Sequence, residues 1–173
     1  MTRKKERIPL RTMRSATAVI LCLFVLISCD QRSIYDTYKV TSATGWQKDS
    51  VMRFTIPKLD SLQKHNLFIT VRNDQEYAYQ NLFLIATMEF PNGKVITDTL
   101  EYEMARPDGS WLGEGFSDLK ESILWYKEGV RFAEEGTYNV SLEHAMRKNG
   151  VIQGEEVLSG ITDVGFRIEK AEN

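Results

Sequence analysis

Tyr138-Asn139-Val140-Ser141-Leu142-Glu143 sets apolar and polar residues at a strict period of two. That is the pattern of a strand with one face on a core and the other in water. Met52-Arg53-Phe54-Thr55-Ile56 and Val164-Gly165-Phe166-Arg167-Ile168-Glu169 repeat it, and Leu67-Phe68-Ile69-Thr70-Val71-Arg72 places Leu67, Ile69 and Val71 on one side. Leu82 to Phe90 is apolar on both faces through most of its length, which predicts a central strand covered on both sides or flanked by an interface. It runs into Pro91-Asn92-Gly93-Lys94, and Asn-Gly between two strand-like runs predicts a hairpin whose second arm is Lys94 to Tyr102.

Further along, Glu134-Glu135-Gly136-Thr137-Tyr138 opens the strand quoted first. An acid, a Gly and then a Tyr fit a tyrosine corner, where the phenol hydroxyl ties a loop to the backbone; an ordinary turn before a core Tyr fits equally well. Phe116 to Glu128 reads as a helical turn, with Asp118 as N-cap and Glu121 as its capping-box partner, followed by a strand through Ile123-Leu124-Trp125-Tyr126. Gly150 to Gly160 reads as an exposed loop. The total is about seven to eight strands and no long amphipathic helix, so the expected fold is all-β: a single antiparallel β-sandwich of the Ig-like or Greek-key type.

The N-terminus is of another kind. Arg3, Lys4, Lys5, Arg7, Arg11 and Arg14 precede an apolar run from Ala16 to Ile27, which ends in Leu26-Ile27-Ser28-Cys29. A basic start, a short apolar stretch and small residues at a cut are the parts of a secretory signal. A Cys directly after the cut looks like a bacterial lipobox, whose thiol carries lipid. The run falls well short of the roughly 20 residues that span a bilayer. Two acyl chains, at about 0.8 kcal/mol per buried methylene, suffice to anchor a protein. The expected organisation is a signal peptide at 1–28, the lipidated Cys29 and a tether to residue 34, a sandwich domain at 35–170 and a tail at 171–173. Cys22 leaves with the signal, so the domain has no possible disulfide. Residues 1–28 take 6 of the 22 Lys and Arg and 1 of the 24 Asp and Glu, which leaves the remainder at a net charge of −7. That charge argues against nucleic acid as a partner.

Catalytic chemistry is thinly represented. His65, in a polar turn, and His144, at the end of an alternating strand, are the two histidines. There is no H-E-x-x-H, no G-x-S-x-G elbow and no Gly-rich phosphate loop. The acids around Asp108, Glu114 and Asp118 do not match an EF-hand spacing and read as a solvated rim, with a loose calcium site as the alternative. The expectation is a non-enzymatic chain with no cofactor and no metal. Arg106-Pro107-Asp108-Gly109-Ser110-Trp111-Leu112-Gly113-Glu114-Gly115-Phe116 combines turn chemistry with two large aromatics. Arg106, Trp111 and Phe116 are therefore candidate partner-binding residues, because Arg and aromatics are enriched at binding hot spots. The competing reading folds Trp111 back as a plug in one end of the sandwich.

Several segments occur in a fixed order: Glu89-Phe90-Pro91-Asn92-Gly93-Lys94, Asp98-Thr99-Leu100-Glu101-Tyr102, Pro107-Asp108-Gly109-Ser110-Trp111-Leu112-Gly113, Tyr126-Lys127-Glu128-Gly129-Val130-Arg131-Phe132 and Ile161-Thr162-Asp163-Val164-Gly165. In this the chain resembles the gliding motility lipoprotein GldH family of the Bacteroidetes, from about Tyr35 to Lys170. The resemblance implies a lipoprotein of the cell envelope. Asp30 after the lipidated Cys would mean inner-membrane retention under enterobacterial sorting rules, but the Bacteroidetes use different signals, so the expected anchor is the outer membrane, facing the periplasm. The implied partners are the gliding machinery and the type IX secretion system that shares parts with it. The resemblance implies no catalytic residues. A lipid-anchored glycan-binding module, with Trp46, Trp111 and Trp125 stacking on sugars, is the alternative function.

Overall fold

The computed structural model describes residues 32–172. The expected signal peptide at 1–28, the expected lipobox and Cys29 lie outside the described residues. Ten strands and no helix are present among the described residues. Sheet one holds β1 (Ser33–Val40), β10 (Ile161–Lys170), β4 (His65–Asn73) and β7 (Lys120–Val130), in that spatial order. Sheet two orders β3 (Met52–Ile56), β8 (Tyr138–His144), β5 (Asn81–Glu89) and β6 (Val95–Glu103). All pairings are antiparallel. The eight long strands match the expected number. The other two, β2 (Trp46–Gln47) and β9 (Val157–Leu158), pair only with each other and are too short to leave a periodic signal in the sequence.

The core lies between the sheets. Leu67, Ile69, Val71, Leu84, Tyr138, Val140, Leu142, Phe166 and Ile168, the residues that the alternation assigns to it, are all buried. The Asn-Gly turn forms as expected, with Phe90 N–H donating to the Lys94 carbonyl at 2.8 Å and Gly93 at a positive φ of 85°. Tyr138 acts as a corner: its hydroxyl accepts the Glu134 N–H at 3.0 Å and so ties the loop before β8 to the strand.

Four local expectations change. Residues 116–128 contain no helical turn: β7 starts at Lys120, and the Asp118 carboxylate accepts a hydrogen bond from Gln75 Nε2 at 2.6 Å instead of capping a helix. Gly150–Gly160 is not wholly exposed, because Leu158 is buried on β9. Leu82–Phe90 is buried on one face only, and Phe83, Ile85 and Thr87 on the other are half-buried. His65 is buried at the start of β4, edge-on to Phe132 at 5.6 Å, and not in a polar turn. Conversely, β4 is covered on its outward face too. Phe68 lies under Trp125 (ring centroids 4.8 Å apart), and the Arg72 guanidinium lies over Tyr38 at 4.1 Å while pairing with Glu121 at 2.6 Å.

Both histidines are buried, and burial pushes each below its ordinary value of 6.5. His144 stands edge-on to Trp46 at 5.4 Å. Below about pH 6.5 the unfolded chain binds protons that the folded chain refuses, so this stability is complete above that pH and lost as the pH falls. Urea unfolding should therefore show a lower midpoint at pH 5.5 than at pH 7.5. Identical midpoints would mean that both rings are solvated.

Candidate interaction surface

The segment between β6 and β7 is built from two successive tight returns. In the first, Arg106 N–H donates to the Ser110 carbonyl at 2.8 Å and Gly109 N–H to the Arg106 carbonyl at 2.9 Å. Gly109 supplies the positive φ (85°), and the Asp108 carboxylate accepts from Ser110 N–H and Oγ at 2.9 and 2.7 Å. Pro107-Asp108-Gly109 thus behaves as its turn chemistry predicts. The return carries Trp111 back toward the body: Ala105 and Trp111 form a β-bridge, and the indole packs near Tyr77 at 6.1 Å between ring centroids.

The second return projects outward. Glu114 and Glu121 exchange both backbone hydrogen bonds, at 2.9 and 2.7 Å, which closes the excursion onto the start of β7. Lys120 Nζ donates to the Gly115 carbonyl at 2.8 Å, and Ser117 takes a φ of 54°. At the tip stands Phe116, fully exposed. Leu112, Leu119, Ile123 and Trp125 are 41%, 42%, 52% and 49% exposed. Half of the ten exposed large apolar side chains among the described residues thus fall between 112 and 125. Apolar residues exposed singly mean little, whereas this concentration makes the segment a candidate for an interaction surface.

Beside this patch runs a groove of about 490 Å³, bounded by Glu103 at the end of β6, Leu112 and Glu114 of the loop, and Glu121 and Ile123 of β7. Tyr102 donates its hydroxyl to the Trp125 carbonyl, midway along β7, at 2.8 Å. Burial, reinforced by the Asp98 charge, pushes that phenol up to about 12, so it stays a donor at any physiological pH. Asp98 itself accepts from Tyr126 Oη at 2.9 Å and pairs with Lys127 at 2.7 Å; the Lys127 hydrogen bond holds its carboxyl below the usual range. The rest of the rim is acidic: Glu103 and Glu114 are exposed and have no ion-pair partner among the described residues.

Of the three residues singled out in the sequence, Phe116 is at the tip of the patch. Arg106 lies exposed on the first return, within 3.4–3.5 Å of Ser110 Oγ and the Trp111 carbonyl. Trp111 is half-buried and packs toward the core. The sequence does not mark Ile123, and it marks Trp125 only as a sugar-stacking indole; the alternating residues Ser122, Leu124 and Tyr126 are themselves largely apolar, so the pattern does not show which face is outward. Of the other indoles, Trp46 is wholly buried. Among the described residues no three His, Cys, Asp or Glu side chains come together as a metal site, and no helix is long and apolar enough to cross a membrane.

The sequence model of the GldH lipoprotein family matches residues 33–168, from the first residue of β1 almost to the end of β10. The chain belongs to that family. A GldH-family relative from Christiangramia forsetii, the "Gliding motility lipoprotein GldH homolog", is 54% identical over 164 residues, covering 93% of this chain and all of the relative. The "Gliding motility lipoprotein GldH" of Flavobacterium johnsoniae is 48% identical over 158 residues, covering 91% of this chain and 98% of its own length. Among solved structures, a chain from the infectious bursal disease virus Gx strain overlaps 80% of this GldH-family chain and 30% of its own length, at 14% identity and a TM-score of 0.35.

Proposed function

We propose that this GldH-family chain is a lipid-anchored, non-enzymatic protein of the cell envelope. It supports the gliding machinery, and the type IX secretion apparatus that shares parts with it, through protein contacts. Its relatives are named as gliding motility lipoproteins. The observation that carries the contact surface is the set of five exposed apolar side chains between Leu112 and Trp125, with Phe116 fully in solvent at the tip. An aromatic ring left wholly exposed contributes nothing to its own fold.

Phe116→Ala is therefore expected to leave stability within about 0.5 kcal/mol of wild type. Loss of a hot-spot aromatic costs about 2 kcal/mol of binding, roughly thirtyfold. Partner recovery from crosslinked envelopes and spreading on agar should fall accordingly. Trp111→Ala, which removes a half-buried ring, should instead lower stability by about 2 kcal/mol, less than the cost at a fully buried site. Full recovery and spreading with Phe116→Ala would end this assignment of the surface.

Anchoring rests on Cys29, which stands directly after the apolar run and Ser28. Cys29→Ala should block acylation and leave uncleaved precursor or protein free of membranes. Mass spectrometry of an unmodified Cys29 at the mature N-terminus would overturn it. The proposed site is the periplasmic face of the outer membrane, and fractionation of the same envelopes tests it.

A further inference from the structure

The β7 edge of sheet one is built to receive another strand, and the chain already shows how. Glu121 gives both its N–H and its carbonyl to Glu114, across the side of β7 that faces away from β4. In an antiparallel ladder the lateral direction of these groups alternates along the strand. Ile123, two residues on, therefore turns its N–H and carbonyl to the same open side, as the Trp125 carbonyl held by Tyr102 also does. Register with β4 is unbroken from Lys120 to Trp125, opposite Asn73 to Phe68, and a bulge follows at once. On this straight stretch Glu121 is taken by Glu114 and the Trp125 carbonyl by Tyr102, which leaves the N–H and carbonyl of Ile123 as the open pair.

The ladder begun by Glu114 is not carried further: Gly113 lies close against Glu121 and Ser122, and the Leu112 N–H donates to the Met104 carbonyl at 2.9 Å instead of to β7. The groove lies where the ladder would continue. Its floor is the Glu121–Leu124 edge and its far wall is the end of β6. Exposed edges are ordinarily guarded by charge, proline or a covering element. At this edge the exposed side chains flanking the open backbone groups are Ile123 and Trp125.

The geometry points to β-strand addition: an extended segment of a partner protein, alternating apolar and basic residues, pairs with β7 at Ile123. This rests on the protein-contact reading above and specifies its mode. Charge selects the occupant. Glu103 and Glu114 flank the groove, so basic side chains on the incoming strand meet complementary charge. A second copy of this chain would bring the same carboxylates against their own kind. Main-chain bonds supply the affinity in this mode, and alternate side chains select the sequence.

The test uses the full-length lipidated protein in detergent and two synthetic decapeptides, one alternating Val and Lys, the other Val and Glu. Amide hydrogen exchange at Ile123 is the readout. The Val–Lys peptide should slow exchange at least tenfold and the Val–Glu peptide should not. Ile123→Pro removes the outward N–H while sparing the bonds to β4, as proline on an edge strand allows, and should abolish the peptide's effect on neighbouring amides. Ile123→Val keeps the N–H and should retain it. A melting temperature for each variant establishes that it is folded.

Equal protection by both peptides, no protection by either, or retained binding in a folded Ile123→Pro variant would overturn strand addition. So would protection that grows with protein concentration in the absence of peptide, which would make the occupant a second copy. In cells, loss of partner recovery with Phe116→Ala but not with Ile123→Pro would sink strand addition and leave the contact reading standing. No effect of either would sink both.

Discussion

Val140→Asp is expected to unfold the domain at ambient temperature. Val140 is wholly buried on β8, paired with Phe54 of β3 on one side and Met88 of β5 on the other. Across the core, Phe54 meets Phe166 of the opposite sheet at 6.0 Å between ring centroids. A carboxylate there would replace a wholly buried apolar side chain packed among Phe54, Met88 and Phe166, so it must either stay charged in an apolar site or take up a proton. An unpaired buried charge belongs among the few single changes that cost about 4–5 kcal/mol or more. A whole domain holds only about 5–15 kcal/mol in reserve. The expected record is loss of the cooperative thermal transition and of the strand signal in circular dichroism. A near-wild-type melt would mean that β8 does not line the core.

Gly160→Ala is the second large effect expected. Gly160 sits in the turn between β9 and β10 at a φ of 78°, and its carbonyl accepts the Asp74 N–H at 2.9 Å. A Cβ on it would overlap the Tyr77 backbone nitrogen and lie 2.6 Å from the Glu76 carbonyl carbon and the Tyr77 Cα. Backbone cannot swing aside as the end of a side chain can. Left-handed strain and forced displacement together should cost about 3 kcal/mol. Gly150 provides the control, because its φ is 77° but nothing lies within 4 Å of the added atom. Gly150→Ala should cost about 1 kcal/mol, the strain alone. Equal urea midpoints for the two variants would remove the contact from the explanation.

Much of the sandwich is written locally. Val140, Leu142, Ile69 and Phe166 declare their faces because their neighbours are polar or outward-facing, and Asn92-Gly93 declares a hairpin because it needs no distant partner. What sequence alone hides is set by distance along the chain. The pairing of β3 with β8 joins Ile56 to Tyr138, and no local pattern encodes such a choice. Asp118 and Glu121 have the spacing of a helix cap, yet Glu121 is held by Arg72 and Glu114, both remote from a helical frame. The same limit governs the site. Arg106, Trp111 and Phe116 stand out by composition, whereas Ile123 matters because topology leaves β7 at an edge.

The pairing of the first strand with the last has a consequence for how the chain is made. Ser33 to Val40 lies against Asp163 to Glu169, and β10 in turn separates β1 from β4. While the final ten or so residues are still inside a ribosome or a translocation pore, β1 has no strand to pair with and sheet one has a gap at its middle. The domain must therefore wait, open, for its own C-terminus. A chain that ended early near Gly160 would lose an interior strand and would be a substrate for proteolysis, not a shortened sandwich.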